Sequence, residues 1–223
     1  MSATKPCSTR YLIFGASLRK DSLNDRLASL AASVVEAAGG KVERAHMSDF
    51  DCPSYSADVE ASNGIPDGAD RFRSKLIATD GFIVASPEYN ASMPGTLKNL
   101  IDWVSRFHPQ PLKGRHGLVM SASPSMLGGN RGLWALRIPF EHLGARIYPD
   151  MFSLAQAHEA FSPAETLADG KLQHFFESTV DCFIESVEAA KHYPAMKSQW
   201  IEFLGERPTP ATERVEVTEI QPV

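Results

Sequence analysis

The sequence predicts a doubly wound α/β fold built on five parallel strands. Three observations predict it. Short apolar runs alternate with helical periodicity along most of the 223 residues. The runs are continuous rather than alternating, as expected of strands buried on both faces. At two strand ends a polar loop leads directly into a helix start, which is where open α/β sheets bind ligands.

The elements follow in order. Residues 9–14 form the first strand, and residues 23–38 a helix closed by Gly39-Gly40. Residues 42–47 form the second strand, and residues 49–67 a long polar loop. A helix over 69–79 and a third strand over 81–85 come next, then a helix over 96–107 and a fourth strand over 117–122. The helix over 130–143 contains Pro139, which has no N–H to give the carbonyl of Ala135. An interior Pro costs roughly 3 kcal/mol, so a kink or break is expected there. The fifth strand starts over 145–148 and reaches Leu154, with a break at Pro149. A final helix over 172–190 carries Leu172, Phe175, Phe176, Val180, Phe183, Ile184 and Val187 at core spacing. Residues 1–193 are expected to be one domain and 194–223 a partly flexible extension. In that extension 196–204 suggest a short helix, and the polar, Pro-rich 207–223 should be dispensable for chemistry.

Bulk properties exclude several classes. A formal charge of −5 does not suit a nucleic-acid surface. Cys7, Cys52 and Cys182 are widely spaced with no C-x-x-C, which fits free thiols in a reducing compartment. The first ten residues lack the apolar core of a signal peptide, and no apolar run approaches the ~18 residues of a membrane span. The expectation is a cytoplasmic protein. Seven His residues are scattered without a metal-ligand spacing, so no metal is expected, and no G-x-S-x-G elbow is present.

The two informative loops are chemically distinct. Residues 15–24, GASLRKDSLN, follow the first strand. Ser22 suits a helix N-cap, and Asp25 could complete a capping box. The free N–H groups of a helix start favour an anion. Arg19 adds a planar fork of donors, and Ser17, Ser22 and Asn24 add neutral ones. This is a phosphate cradle with neither a Walker lysine nor G-x-G-x-x-G. The other loop, SPEYNASMPG over residues 86–95, follows the third strand.

Together the loops resemble the NAD(P)H-dependent FMN reductase family, a flavodoxin-like group that includes quinone and azo-dye reductases. The family pattern P-E-Y-N-x-S-x-P-G-x-L-K-N-x-I-D-W is complete from Pro87 to Trp103. The pattern G-S-x-R-x-x-S-x-N matches at Ser17, Arg19, Ser22 and Asn24, and departs at Ala16. A third piece, Ser121-Ala122-Ser123-Pro124 before Gly128-Gly129, is also similar.

The resemblance implies strand order 2-1-3-4-5 and FMN at the switch point between strands one and three. It implies a phosphate held by Ser17, Arg19, Ser22, Leu23 and Asn24. The ring edge would meet the backbone of Pro87, Glu88, Tyr89 and Asn90, with Tyr89 flanking it and Ser121 and Ser123 bordering it. Arg131 is a candidate for the 2′-phosphate of NADPH, and no side chain is assigned an acid–base role. The implied activity is NAD(P)H oxidation through FMN to a quinone, azo compound, flavin or similar acceptor by a ping-pong route. A flavodoxin-type electron carrier shares the fold and cofactor and is the alternative. In the helix over 96–107, Trp103 and Phe107 widen the apolar arc beyond Leu97, Leu100, Ile101 and Val104. Such an arc signals deeper burial or a partner. The resemblance implies a partner, in a homodimer or homotetramer.

Overall fold

The computed structural model describes residues 9–203. The strands are β1 (Arg10–Gly15), β2 (Lys41–His46), β3 (Gly81–Ala85), β4 (His116–Ala122), β5 (Arg146–Ile147) and β6 (Phe152–Leu154). The helices are α1 (Leu23–Ala37), α2 (Ala57–Asn63), α3 (Asp67–Ile77), α4 (Gly95–Val104), α5 (Asn130–His142), α6 (Ala157–Ala160) and α7 (Gly170–Phe203). All pairings within the sheet are parallel, in the order β2-β1-β3-β4-β5. The fifth position is interrupted as Pro149 suggested: β5 and β6 both pair with β4.

The alternation of side chains along each strand gives two cores. Tyr11 and Ile13 join Leu27, Ala31 and Val35 of α1 and Phe176, Val180 and Phe183 of α7 on one face. Leu12 and Phe14 join Phe72 of α3, Leu97 and Trp103 of α4 and Leu136 and Phe140 of α5 on the other. Both faces of β1, β3 and β4 are therefore covered. This explains why those strands read as continuous apolar runs. Gly117 supplies local room, since a Cβ there would run into the ring of Phe82.

Three expectations are corrected. The segment 49–67 is not a plain loop: a 3₁₀ turn over Met47–Phe50 and helix α2 lie across it. Helix α5 runs through Pro139 without interruption, anchored by buried Leu133, Leu136 and Phe140. Helix α7 continues through Pro194 to Phe203, so the final helix and the separate short helix are one element. A proline deletes one backbone bond and leaves the flanking turns their own.

The chain divides into two compact units, Met1–Val187 and Glu188–Val223. The first holds the sheet and its helices. The second holds the end of α7, and the tail over 207–223 lies outside the described residues.

Candidate functional site

The carboxyl end of β1 builds the first half of the site. Ala16 donates to the carbonyl of Ala85 at 2.8 Å, so the loop starts pinned to β3. Ser17 is buried and its Oγ accepts from the Arg19 N–H at 3.2 Å. Asp21 takes a left-handed backbone, φ 55°, that turns the chain into α1. Ser22 caps the helix: its Oγ accepts from the Asn24 N–H at 3.2 Å. Among the described residues, the N–H groups of Leu18, Lys20, Asp21 and Leu23 form no hydrogen bond, and the exposed Arg19 guanidinium has neither a hydrogen bond nor an ion pair. A run of unspent donors at a helix start is what an anion requires.

The capping box does not form. Asp25 instead tucks its carboxylate under Gly15, where a Cβ would collide with Oδ1, and that oxygen has no hydrogen-bond partner. Burial pushes the Asp25 carboxyl above its usual range, while His46 and Arg44 pull it back in part. Asn24 is also placed differently from expectation. Its Nδ2 donates to the Ala122 carbonyl at 3.0 Å, and its Oδ1 accepts from the Ala122 N–H at 2.9 Å. The Asn24 side chain thus ties α1 to the end of β4.

The loop after β3 is a tight hairpin. Tyr89 and Ser92 exchange backbone bonds of 2.9 and 3.0 Å around Asn90 and Ala91, whose φ values are 52° and 62°. Both central residues are left-handed, as a two-residue hairpin turn demands. Ala91 carries a Cβ in that region and is strained. Tyr89 is 52% exposed. Glu88 points the other way: its Oε1 accepts from Arg131 Nε at 2.9 Å and Nη2 at 2.6 Å, and its Oε2 from the Gly132 N–H at 3.2 Å.

The loop after β4 closes the cluster. Ser123 donates its N–H to the Leu154 carbonyl at 3.0 Å, and its carbonyl accepts from Ala157 at 3.0 Å. Gly128 and Gly129 have φ of 61° and 86°, the left-handed region. A Cβ on Gly129 would strike Ser121 Oγ, which is buried and has no hydrogen-bond partner. The three loops thus converge at the β1–β3–β4 carboxyl ends, beside the switch point of the sheet.

Residues 9–159 match the family model described as NADPH-dependent FMN reductase. The chain belongs to this family. It is 38% identical over 121 residues to a quinone reductase of Escherichia coli (strain K12), covering 54% of this chain and 63% of that one. The chain therefore spans less than two thirds of that relative's length. An NAD(P)H-dependent FMN reductase of Pseudomonas aeruginosa is 34% identical over 170 residues, covering 75% and 89% of the two chains. The solved flavoenzyme NAD(P)H:(acceptor) oxidoreductase FerB from Paracoccus denitrificans superposes with a TM-score of 0.68 at 28% identity, covering 81% of this chain and 97% of that one.

Within this FMN reductase fold, two motif residues perform structural tasks. Asn99 Oδ1 accepts from the Tyr55 N–H at 2.8 Å, and its Nδ2 donates to the Pro53 carbonyl at 2.9 Å. Trp103 is fully buried, its Nε1 donating to the Pro53 carbonyl at 2.7 Å, with the Tyr55 ring edge-on at 5.0 Å. The expectation that Trp103 faces a neighbouring subunit is therefore corrected: the segment after β2 covers it. Phe107 is half-buried against the same core, with the Arg73 guanidinium 4.9 Å from its ring centroid. Sequence reasoning missed Gly132 and the Glu88–Arg131 pair. Their separation along the chain leaves no periodic signal. Among the described residues no group of three or more His, Cys, Asp or Glu could hold a metal, and no helix is long and apolar enough to cross a membrane.

Proposed function

We propose that the chain is an FMN-dependent NAD(P)H oxidoreductase that passes hydride to a quinone, azo compound, flavin or similar acceptor. The observation that carries the reading is the set of unspent N–H donors at Leu18, Lys20, Asp21 and Leu23 with the Arg19 guanidinium, set beside the β3 loop at the switch point. That set fits a monophosphate. The orphan Ser121 hydroxyl, beside Gly129, fits a ligand that brings a polar edge between the loops. FMN, when bound, supplies hydride acceptance from a nicotinamide and hydride delivery to a second substrate.

The chain's own residues do the rest. Residues 17–23 would hold the phosphate, with Ser17, Ser22 and Leu23 shaping the backbone and Arg19 neutralising charge. The backbone of Pro87, Glu88, Tyr89 and Asn90 would take the polar edge of the ring. Tyr89, exposed on its hairpin, would flank the ring, while Ser121 and Ser123 border it. Arg131 has two nitrogens committed to Glu88, which leaves Nη1 for a 2′-phosphate. No general acid or base is needed for hydride transfer between two rings. Positioning them at contact distance is the main contribution.

Purified protein is expected to carry a flavin spectrum and to oxidise NAD(P)H steadily once an acceptor is added. Reductant and acceptor need the same exposed ring face, so double-reciprocal plots should be parallel, and excess nicotinamide should inhibit competitively against the acceptor. Intersecting lines with a ternary complex would refute a single shared position. Flavin bound without nicotinamide turnover would favour the electron-carrier alternative.

We further propose a cytoplasmic homodimer or homotetramer. A groove between α4 and α5 is lined by Met93, Ile101, Ala135 and Leu143, with Ile138 71% exposed on its rim and Trp134 58% exposed on the same helix. A second copy would cover these side chains. Light scattering should report at least a dimer at micromolar concentration, shifted towards monomer by Ile138→Glu. A monomeric wild type removes the proposal.

A further inference from the structure

We propose that Glu88 is a positioning residue: its carboxylate locks the β3 loop to the start of α5 and so sets the slot between the loops that receives the flavin ring. The inference rests on the site reading given above and adds a residue-level device to it. Helix α5 begins at Asn130, and its N-cap residue, Gly129, has no side chain with which to cap it. Glu88, 44 residues before Gly132 in sequence, supplies the missing cap: its Oε2 takes the Gly132 N–H, as an N-cap side chain takes the third helical N–H. Its Oε1 takes both Nε and Nη2 of Arg131. One carboxylate therefore satisfies three donors on an element that its own loop does not otherwise bond through side chains.

This is not an ordinary surface ion pair, which contributes little. The Glu88 side chain is only 9% exposed while Arg131 is 59% exposed, so the guanidinium closes over a carboxylate already held on the backbone. Burial pushes the Glu88 carboxyl up, but Arg131 and the Gly132 N–H outweigh it and hold it below the usual glutamate range. A depressed acid keeps its contribution above its unfolded pKa and loses it only as pH falls through the lower folded value. The latch is thus fully ionised at neutral pH.

The packing beneath the latch leaves little room for a side chain at Gly132. A Cβ on Gly132 would lie 3.1 Å from Glu88 Cα and 3.1 Å from the Ser92 carbonyl oxygen. The strained Ala91 turn sits between those two contacts, and strain of that kind persists only where the surroundings over-determine it. Glu88 provides that constraint. A loop held in its binding geometry spares a ligand the ordering cost on arrival.

The test is binding of FMN and of riboflavin, which lacks the phosphate, to the FMN-free protein. Glu88→Ala is expected to weaken both ligands by the same factor, about tenfold, the loss expected from one charge-assisted contact. Arg131→Ala should do the same, and the double variant should lose no more than either single one, because the two act as one unit. Glu88→Gln, which keeps the acceptor for Gly132, should restore part of the loss. A purely structural role would lower the melting temperature of the FMN-free protein and leave ligand affinity alone. Unchanged affinities, or losses that add in the double variant, overturn the proposal. Should Glu88→Ala not fold, Glu88→Gln and Arg131→Lys carry the same comparison, since Lys cannot hold the carboxylate in a bidentate fork. Tyr89→Ala separates the two levels. If it weakens riboflavin binding while the Glu88 variants do not, the latch alone is wrong. If neither moves riboflavin, the ring lies elsewhere and the site reading falls with the latch.

Discussion

Replacing Trp103 by Ala is expected to destabilise the fold by about 3–5 kcal/mol, the range for truncating a large aromatic side chain in a core. Trp103 has no exposed surface, and its indole N–H donates to the Pro53 carbonyl at 2.7 Å. Truncation leaves a cavity beside Tyr55, whose ring it meets at 5.0 Å and 81°. The Pro53 carbonyl keeps one partner in Asn99 Nδ2, so the loss is mostly packing rather than an orphaned acceptor. In a domain of this size the melting temperature should fall on the order of 10 °C. Chemical denaturation followed by circular dichroism checks the size of the loss, and repeating it across protein concentrations checks its origin. The deficit should be the same at every concentration. A deficit that appears only on dilution would restore Trp103 to a subunit interface.

That residue also shows what was and was not legible in the sequence. The strands were legible because burial on both faces writes itself as a continuous apolar run, as in Phe82 to Ala85. The helix carrying Trp103 was legible as an apolar arc. What covers the arc was not. Residues 52–55 do so, and they belong to a stretch that reads as polar loop because α2 buries none of its own residues and so shows no period. Backbone carbonyls in such a segment need donors. Asn99 and Trp103 provide them for Cys52 and Pro53 across 46 to 50 residues of chain. Tertiary pairing at that distance has no one-dimensional signature. The same holds for Asn24, which reads as a phosphate donor beside Ser22 and yet spends its amide on Ala122, 98 residues away. Pro139 and Pro194 misled in the opposite sense. Each is a helix breaker locally, and each is carried by the turns around it.

Arg19→Ala is expected to weaken FMN binding by about 1.5–3 kcal/mol, roughly 10- to 150-fold, while leaving riboflavin binding near wild type. Arg19 is exposed and, among the described residues, its guanidinium has no hydrogen-bond or ion-pair partner, so the folded protein loses neither kind of interaction when it is removed. Its backbone is nonetheless fixed, with its N–H held on Ser17 Oγ at 3.2 Å, so the side chain departs from a defined point of the loop. The N–H groups of Leu18, Lys20, Asp21 and Leu23 remain for the same ligand, together with the positive end of α1. These neutral donors set a floor under the loss, which is why a complete loss of binding is not expected. The charge of Arg19 adds the salt-sensitive part. Raising ionic strength should therefore narrow the gap between wild type and variant, because an exposed charge contact is screened over about 8–10 Å near physiological salt. Titrating FMN-free protein with each ligand and following flavin fluorescence gives both affinities in one experiment. Equal FMN affinities for wild type and variant at low salt would remove Arg19 from the phosphate site. An equal loss for FMN and riboflavin would mean that the guanidinium acts on the ring or on the loop's shape instead.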